Sequence, residues 1–410
     1  MDVLIIGCGI GGLTLALSLH QAGIACRVFE AAPEIQPLGV GINLLPHGMR
    51  ELTELGLQEK LTRVAVETRE LCFYNRYGQF IFKEPRGQYA GYEWPQLSIH
   101  RADLHEVLLE AVKKRLGVAS VSLNMKFLSL EEGQGRVRAT FENGASVDGS
   151  CAIGCDGIHS AVRKQLFPGE GPPGYQGIHM WRGVTRTKPF LTGASMAVAG
   201  WLTVGKMVIY PISNALDPHG RQLVNWVAEI QPPRKVAQDW NLGGRIEDFY
   251  PAFADWRFDW LDCAALIENA EQVLEYPMVD RDPLPYWTRG RVTLLGDAAH
   301  PMYPRGSNGA GQAILDARAL AGCIKRGKNI REALKAYEAA RLKAANDLVL
   351  MNRANPPDAI LREVWKRSGD KPFSRIGDVI SNAELVALSE NYKRVAGFER
   401  ESLARRGSLV

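Results

Sequence analysis

Hydrophobic positions along the chain keep three rhythms. Short unbroken apolar runs at 2–6, 26–29, 150–153 and 291–295 read as strands buried on both faces of a parallel sheet. Alternating segments at 69–84, 118–132 and 137–147 read as antiparallel strands, with a hairpin signal at Asn143-Gly144. Longer, aromatic-rich strands are expected around 180–184, 207–211 and 223–228. A helical period runs through 13–23, 47–61, 101–116, 246–270, 309–322 and 330–352. Pro356-Pro357 marks a boundary, and a charged, partly helical tail runs on to residue 410.

The pattern predicts an α/β fold. Residues 1–70, 96–175 and 279–352 form a Rossmann-like nucleotide unit. Residues 71–95 and 176–278 form an inserted mixed or antiparallel β-sheet unit that shapes a substrate pocket, and 353–410 is a C-terminal helical tail. The first strand runs into Gly7-x-Gly9-x-x-Gly12, then a helix closed by Gly23, then a second strand ending at Glu30. Gly7 permits the tight turn, Gly9 lets backbone approach a pyrophosphate, and Gly12 lets the helix pack on the strand. Free N–H groups at the helix start face phosphate, and Glu30 suits ribose hydroxyls. Two later strand ends repeat the pattern of glycine and acid, at Gly154-Cys155-Asp156-Gly157 and Gly296-Asp297. Ligands gather at the carboxyl ends of parallel strands, so all three turns are expected around one ligand. Arg101 opens a helix, where a cation is disfavoured unless an anion lies nearby. Gly39-Val40-Gly41 suits close approach to a flat ligand or a plain surface loop.

Composition narrows the class. An apolar share of 46% and a charged share of 23% over 410 residues fit a globular protein with a sizeable core. A net charge of +4 gives no reason to expect nucleic acid. Seven cysteines without paired spacing fit a reducing cytoplasm and predict no zinc site. A strand starting at residue 2 leaves no room for a signal peptide, and no apolar run approaches membrane-span length.

Gly7-x-Gly9-x-x-Gly12, Gly154-Cys155-Asp156-Gly157-x-x-Ser160-x-Val162-Arg163 and Gly296-Asp297-Ala298-Ala299-His300-x-x-x-Pro304 together resemble the three fingerprints of the single-component flavoprotein aromatic hydroxylases. The resemblance covers about residues 1–350. Within that family, the segments at 37–43, 98–101, 180–185 and 276–285 are similar to those of phenazine-modifying monooxygenases, and Arg305 departs from an apolar residue there. The resemblance implies bound FAD, transient NADH or NADPH, O2 and a small aromatic or N-heteroaromatic substrate, hydroxylated through a flavin C4a-hydroperoxide with or without loss of a carboxylate. A homodimer is compatible with it.

The resemblance implies FAD contacts from Gly7, Gly9, Ile10, Gly11 and Gly12, from Glu30 and Ala31, and from Gly41, Arg101 and Phe127. It adds Asp156 and Gly157, Asp297 on the ribityl chain, and the turn Gly306-Ser307-Asn308-Gly309. Pro304 would lie at the flavin face. Tyr210, Trp226 and Arg305 are candidate substrate contacts, and His300 is read as a structural part of its loop. Such an enzyme needs positioning and exclusion of water rather than an acid–base triad. Other readings are a flavin reductase of prenyl chains and a non-catalytic flavin-binding protein. A flavin halogenase is disfavoured, since no Trp-x-Trp-x-Ile-Pro segment occurs.

Overall fold

The computed structural model describes residues 1–36, 39–231, 244–354 and 356–410. Pro37 and Leu38, part of the glycine-containing segment noted above, lie outside the described residues.

The unbroken apolar runs pair as expected. Strands Asp2–Ile6, Ala25–Phe29, Cys151–Gly154 and Val292–Leu294 lie parallel in a six-stranded sheet. Val121–Ser122 extends one edge, and Thr288–Arg289 adds an antiparallel strand at the other. Neighbouring strands lead away from Asp2–Ile6 in opposite directions along the sheet, so a crevice opens at its carboxyl end. Helices Ile10–Gln21, Arg101–Leu116 and Gly309–Arg326 bury this sheet in the largest apolar core.

A seven-stranded sheet forms the second layer, in the order 272–280, 174–187, 222–230, 205–216, 195–201, 70–74, 80–85. Its neighbours are antiparallel except Ser195–Trp201 beside Glu70–Tyr74, which run parallel. Period-two alternation gives it two distinct faces. Trp181, Ala197, Ala199, Met207, Ile209, Trp226 and Ala228 pack on one, under Phe249, Phe253, Trp256 and Phe258. Leu71, Phe73, Met180, Val198, Val208 and Val227 point the other way, into a cavity.

Three expected elements differ in detail. The helix over 47–61 is two, Pro46–Glu54 and Gln58–Val64, because Gly56 turns the chain at φ +70°. The strand over 118–132 is interrupted at Asn124, φ 55°, leaving Val121–Ser122 and Phe127–Glu132. Residues 246–270 are not one helix. They form two 3-10 turns, a short hairpin and the helix Cys263–Glu268, whose N-terminus the Asp262 side chain caps. Phe249, Phe253 and Trp256 have helical spacing, but Pro251 removes a backbone donor and each ring wedges separately against the sheet.

The tail is ordered and helical, with Ala359–Ser368, Asn382–Val395 and Arg400–Arg405. A reciprocal Ser381–Glu384 cap starts the longest of these. Ile360, Leu361, Val364, Ile380 and Leu385 bury against Leu71, Phe73, Ile81 and Val198 of the large sheet. No helix of the described residues is long and apolar enough to cross a membrane.

Candidate functional site

One cavity of about 410 Å³ runs from the carboxyl end of the parallel sheet to the open face of the large sheet. The three strand-end turns meet at its first end. Gly7 N–H donates to Phe29 O, Cys155 N–H to Ile6 O and Leu295 N–H to Gly154 O, at 2.8, 2.7 and 2.9 Å. Gly7 sits at φ +112°, and a Cβ there would lie 2.4 Å from Cys155 O. A Cβ on Gly12 would lie 2.1 Å from Gly7 O, so helix and strand touch through backbone. Beyond Gly9 nothing lies within 4 Å, which leaves that side open to a ligand.

Two helix N-termini face this end. Neither Gly9, before the helix Ile10–Gln21, nor Asn308, before Gly309–Arg326, caps its helix with a side chain, and neither helix has an acid in its first turn. Both starts line the cavity, so free N–H groups and the positive ends of two helix dipoles converge there. The second helix enters through a turn with two left-handed residues, Gly306 at φ +74° and Ser307 at φ +57°. A serine held in that region is strained, and such strain concentrates at working turns. Pro304, Arg305, Gly306, Ser307 and Asn308 all line the cavity.

Asp297 lines the same wall and its carboxylate has no hydrogen-bond partner among the described residues. Its side chain is open to the cavity, and desolvation by the protein crowded around it raises its pKa, a shift that His300 and Arg101 oppose. His300 turns away, donating or accepting at 2.6 Å with Asp316 beneath the sheet. His300 and Arg341 hold the Asp316 carboxyl down at about 2 although burial acts to raise it.

Other expected contacts have different surroundings. Glu30 accepts from Cys8 N–H at 2.9 Å and Ala32 N–H at 3.0 Å, which ties the second strand to the glycine turn beside Ala31. Asp156 accepts from Ser160 Oγ at 2.5 Å and Val162 N–H at 3.1 Å, while Gly157 reaches the cavity. Gly41 lines the cavity, and its missing side chain has a structural reason as well. Its N–H donates to Asn225 Oδ1 at 2.7 Å, and a Cβ would lie 2.6 Å from Asn225.

The Phe127 ring is buried in the main core, in the strand paired with the one carrying Phe141. One assignment is corrected. Trp226 is fully buried on the far face of the large sheet, where Nε1 donates to Thr185 Oγ1 at 3.0 Å. Its neighbours Asn225 and Val227 face the other way, so alternation alone removes Trp226 from the cavity. Tyr210 does line it, with burial raising its pKa beside Arg182 and Asn43.

The buried charges at the second end of the cavity were not foreseen from sequence. Lys206 and Glu229 oppose each other across two strands, Nζ to Oε2 at 2.8 Å, and Asp358 from the tail also binds Nζ. Burial acts to raise the Asp358 carboxyl, but Lys206 and then Arg305 hold it below its ordinary value. Glu84 pairs with Arg86 and with Lys393 of the tail. Tyr392 closes the roof: Asn308 Nδ2 donates to its hydroxyl at 2.8 Å, and the hydroxyl lies 2.9 Å from Asn352 Oδ1 and 3.2 Å from Arg305 O. The available signal was opposite charge interrupting two apolar strand runs, at Lys206 and Glu229.

Residues 1–239 and 266–352 match the sequence profile of the FAD binding domain family. The chain is 41% identical over 407 residues to a phenazine 1,6-dicarboxylic acid hydroxylase of Lysobacter antibioticus, covering 96% of this chain and 97% of that one. It is 31% identical over 395 residues to a 6-hydroxynicotinate 3-monooxygenase of Pseudomonas fluorescens, covering 94% and 96%. Among solved structures, Klebsiella pneumoniae HpxO complexed with FAD and uric acid shares the fold, with TM-score 0.77 over 98% of this chain and 97% of that one at 24% identity.

Proposed function

The chain belongs to the FAD binding domain family and is a flavin-dependent aromatic monooxygenase; from that premise we propose that it hydroxylates a flat, phenazine-like N-heteroaromatic ring. The net reaction takes a ring C–H, O2, NADH or NADPH and a proton to a ring C–OH, water and oxidised nicotinamide. Where the attacked carbon bears a carboxylate, CO2 leaves instead of the ring proton. The observation that carries the reading is one continuous cavity, with backbone donors at one end and an apolar sheet face at the other.

The residues of the first end fit FAD. Their glycine geometry, the uncapped helix starts and the unpartnered Asp297 carboxylate call for a ligand with phosphate and hydroxyl groups. Gly7, Gly9, Ile10, Gly11 and Gly12 would hold the pyrophosphate together with Arg101. Glu30 would take the adenosine ribose and Asp297 the ribityl hydroxyls. Held there, FAD would supply the redox chemistry, hydride acceptance from the nicotinamide and activation of O2. The N–H groups of Gly306, Ser307 and Gly309 and the helix dipole behind them stabilise negative charge at this end. Pro304 bounds the space where the rings meet. Leu71, Phe73, Met180, Val198, Val208 and Val227 exclude water and hold the substrate plane.

In this reading residues 1–70, 96–175 and 279–352 carry the nucleotide. Residues 71–95 and 176–278 shape the substrate space, and 353–410 roofs it. Every group invoked comes from one chain, so a homodimer is compatible and not required. Seven unpaired cysteines support a cytoplasmic setting. The test is oxygen uptake and NADH or NADPH oxidation with phenazine carboxylates, hydroxynicotinates and aminohydroxybenzoates. Substrate-stimulated oxidation with a product carrying one new oxygen is expected. Uniformly slow oxidation across the panel contradicts the reading.

A further inference from the structure

Cations lining the sheet-and-tail end of the cavity are almost all engaged. Lys206 is held by Glu229 and Asp358, Arg86 by Glu84, and Lys393 by Glu84 and Glu390. Arg182 donates to Gly41 O at 2.6 Å. Arg86 and Arg182 each leave Nε unpartnered but are held through another nitrogen, whereas no hydrogen bond or ion pair holds the Arg305 guanidinium among the described residues. Arg305 lines the cavity, is only 8% exposed, and its Nε and Nη2 have no partner among the described residues. Asp358 lies close enough to feel its charge, but the two form no ion pair: Asp358 Oδ2 binds Lys206 and Oδ1 is left without a partner.

A guanidinium withdrawn from water without a hydrogen-bond acceptor is costly, and the charge of Asp358 nearby offsets that cost without filling its donors, which leaves them for an anion in the cavity. Nε and Nη2 form one edge of the guanidinium fork. That edge presents two parallel N–H donors, spaced to match the two oxygens of one carboxylate. The backbone holds the residue firmly in place. Arg305 N–H donates to Tyr303 O at 2.7 Å, and Arg305 O lies 3.2 Å from the Tyr392 hydroxyl. The side chain also starts one residue from Pro304, so an anion on it would fix the ring against the flavin-facing turn.

We propose that Arg305 is a specificity-determining residue that binds a carboxylate carried by the substrate ring, which makes aromatic carboxylates the substrate class. This rests on the hydroxylase reading of the same cavity. It adds that neutral rings of equal size are rejected, since they leave the buried charge unanswered.

The test uses the FAD-loaded full chain and reads ligand binding from perturbation of the flavin absorbance, with NADH or NADPH oxidation alongside. The probes are phenazine-1-carboxylate, 6-hydroxynicotinate and 3-amino-4-hydroxybenzoate, each beside its carboxamide. The wild type is expected to bind at least one carboxylate roughly 100-fold tighter than its amide. Arg305→Gln should remove that preference by weakening the carboxylate alone, and Arg305→Lys should keep part of it. Lysine retains the charge without the planar fork, so it serves as the check if the glutamine variant fails to fold. Equal affinity of wild type for acid and amide, or undiminished acid preference in either variant, overturns the assignment while leaving the hydroxylase reading intact. Absence of stimulated oxidation with every probe overturns the hydroxylase reading, and the assignment with it.

Discussion

The two ends of the cavity are built by different means. The nucleotide end is made mostly of backbone, glycines at fixed spacing and two uncapped helix starts, with one carboxylate open to the cavity. The substrate end is made of side chains from strands and tail helices far apart in sequence, with buried charges locked in pairs except at Arg305. Backbone recognition tolerates almost no substitution and suits a ligand that never changes. Side-chain recognition can be altered one residue at a time, which lets one scaffold accept different rings.

The sharpest way to break this comparison is at Gly12. Gly12→Val places carbon against Gly7 O, since its Cβ alone would lie 2.1 Å away. Helix and strand must separate, at a cost above about 3 kcal/mol. Insoluble or colourless protein is expected on purification; a yellow protein with full flavin content would show that the close approach is dispensable.

Next in size is the contrast between the two faces of the large sheet. Trp226→Ala empties the far core and should cost ~3–5 kcal/mol in denaturant unfolding. Ligand affinity of the folded enzyme should not move, because the indole lies on the wrong face. An affinity change of tenfold or more would return Trp226 to the substrate wall.

A third effect appears with pH. His47 is buried against Phe398 of the tail with both ring nitrogens unpartnered, and burial lowers its pKa from 6.5 to about 3. The unfolded chain therefore takes up this proton first as pH falls. Stability is complete above pH 6.5 and declines toward pH 3, by up to about 1.4 kcal/mol per pH unit. His47→Gln should flatten that limb of the stability profile, and an unchanged limb would assign it to other groups.

The smallest effect is expected at Tyr392→Phe. It keeps the ring and removes the hydroxyl shared by Asn308, Asn352 and Arg305. A loss of about 1–2 kcal/mol, read as a lower Tm, would fit a tail that steadies the flavin-facing turn. No change in Tm would make that roof passive.

The same contrast explains what could be read from sequence. Gly7 and Gly12 were legible because backbone contact demands glycine at those offsets, Gly9 because it completes the spacing that leaves room for a ligand, and the parallel strands because double burial leaves largely apolar runs. Helical spacing of Phe249, Phe253 and Trp256 misled, because rings wedged singly into a sheet can share that period. Trp226 and Tyr210 sat in equally aromatic strands, and only register shows which one faces the ligand. Lys206, Glu229 and Asp358 meet through pairing across 152 positions, which no local pattern records.

The central claim is that this cavity transfers one atom of molecular oxygen to an aromatic ring. Reaction of the FAD-loaded enzyme with NADH or NADPH and a phenazine carboxylate under labelled 18O2 tests it directly. The account predicts a product with one 18O on the ring. A product without the label, or nicotinamide oxidation that no aromatic substrate stimulates, would contradict it.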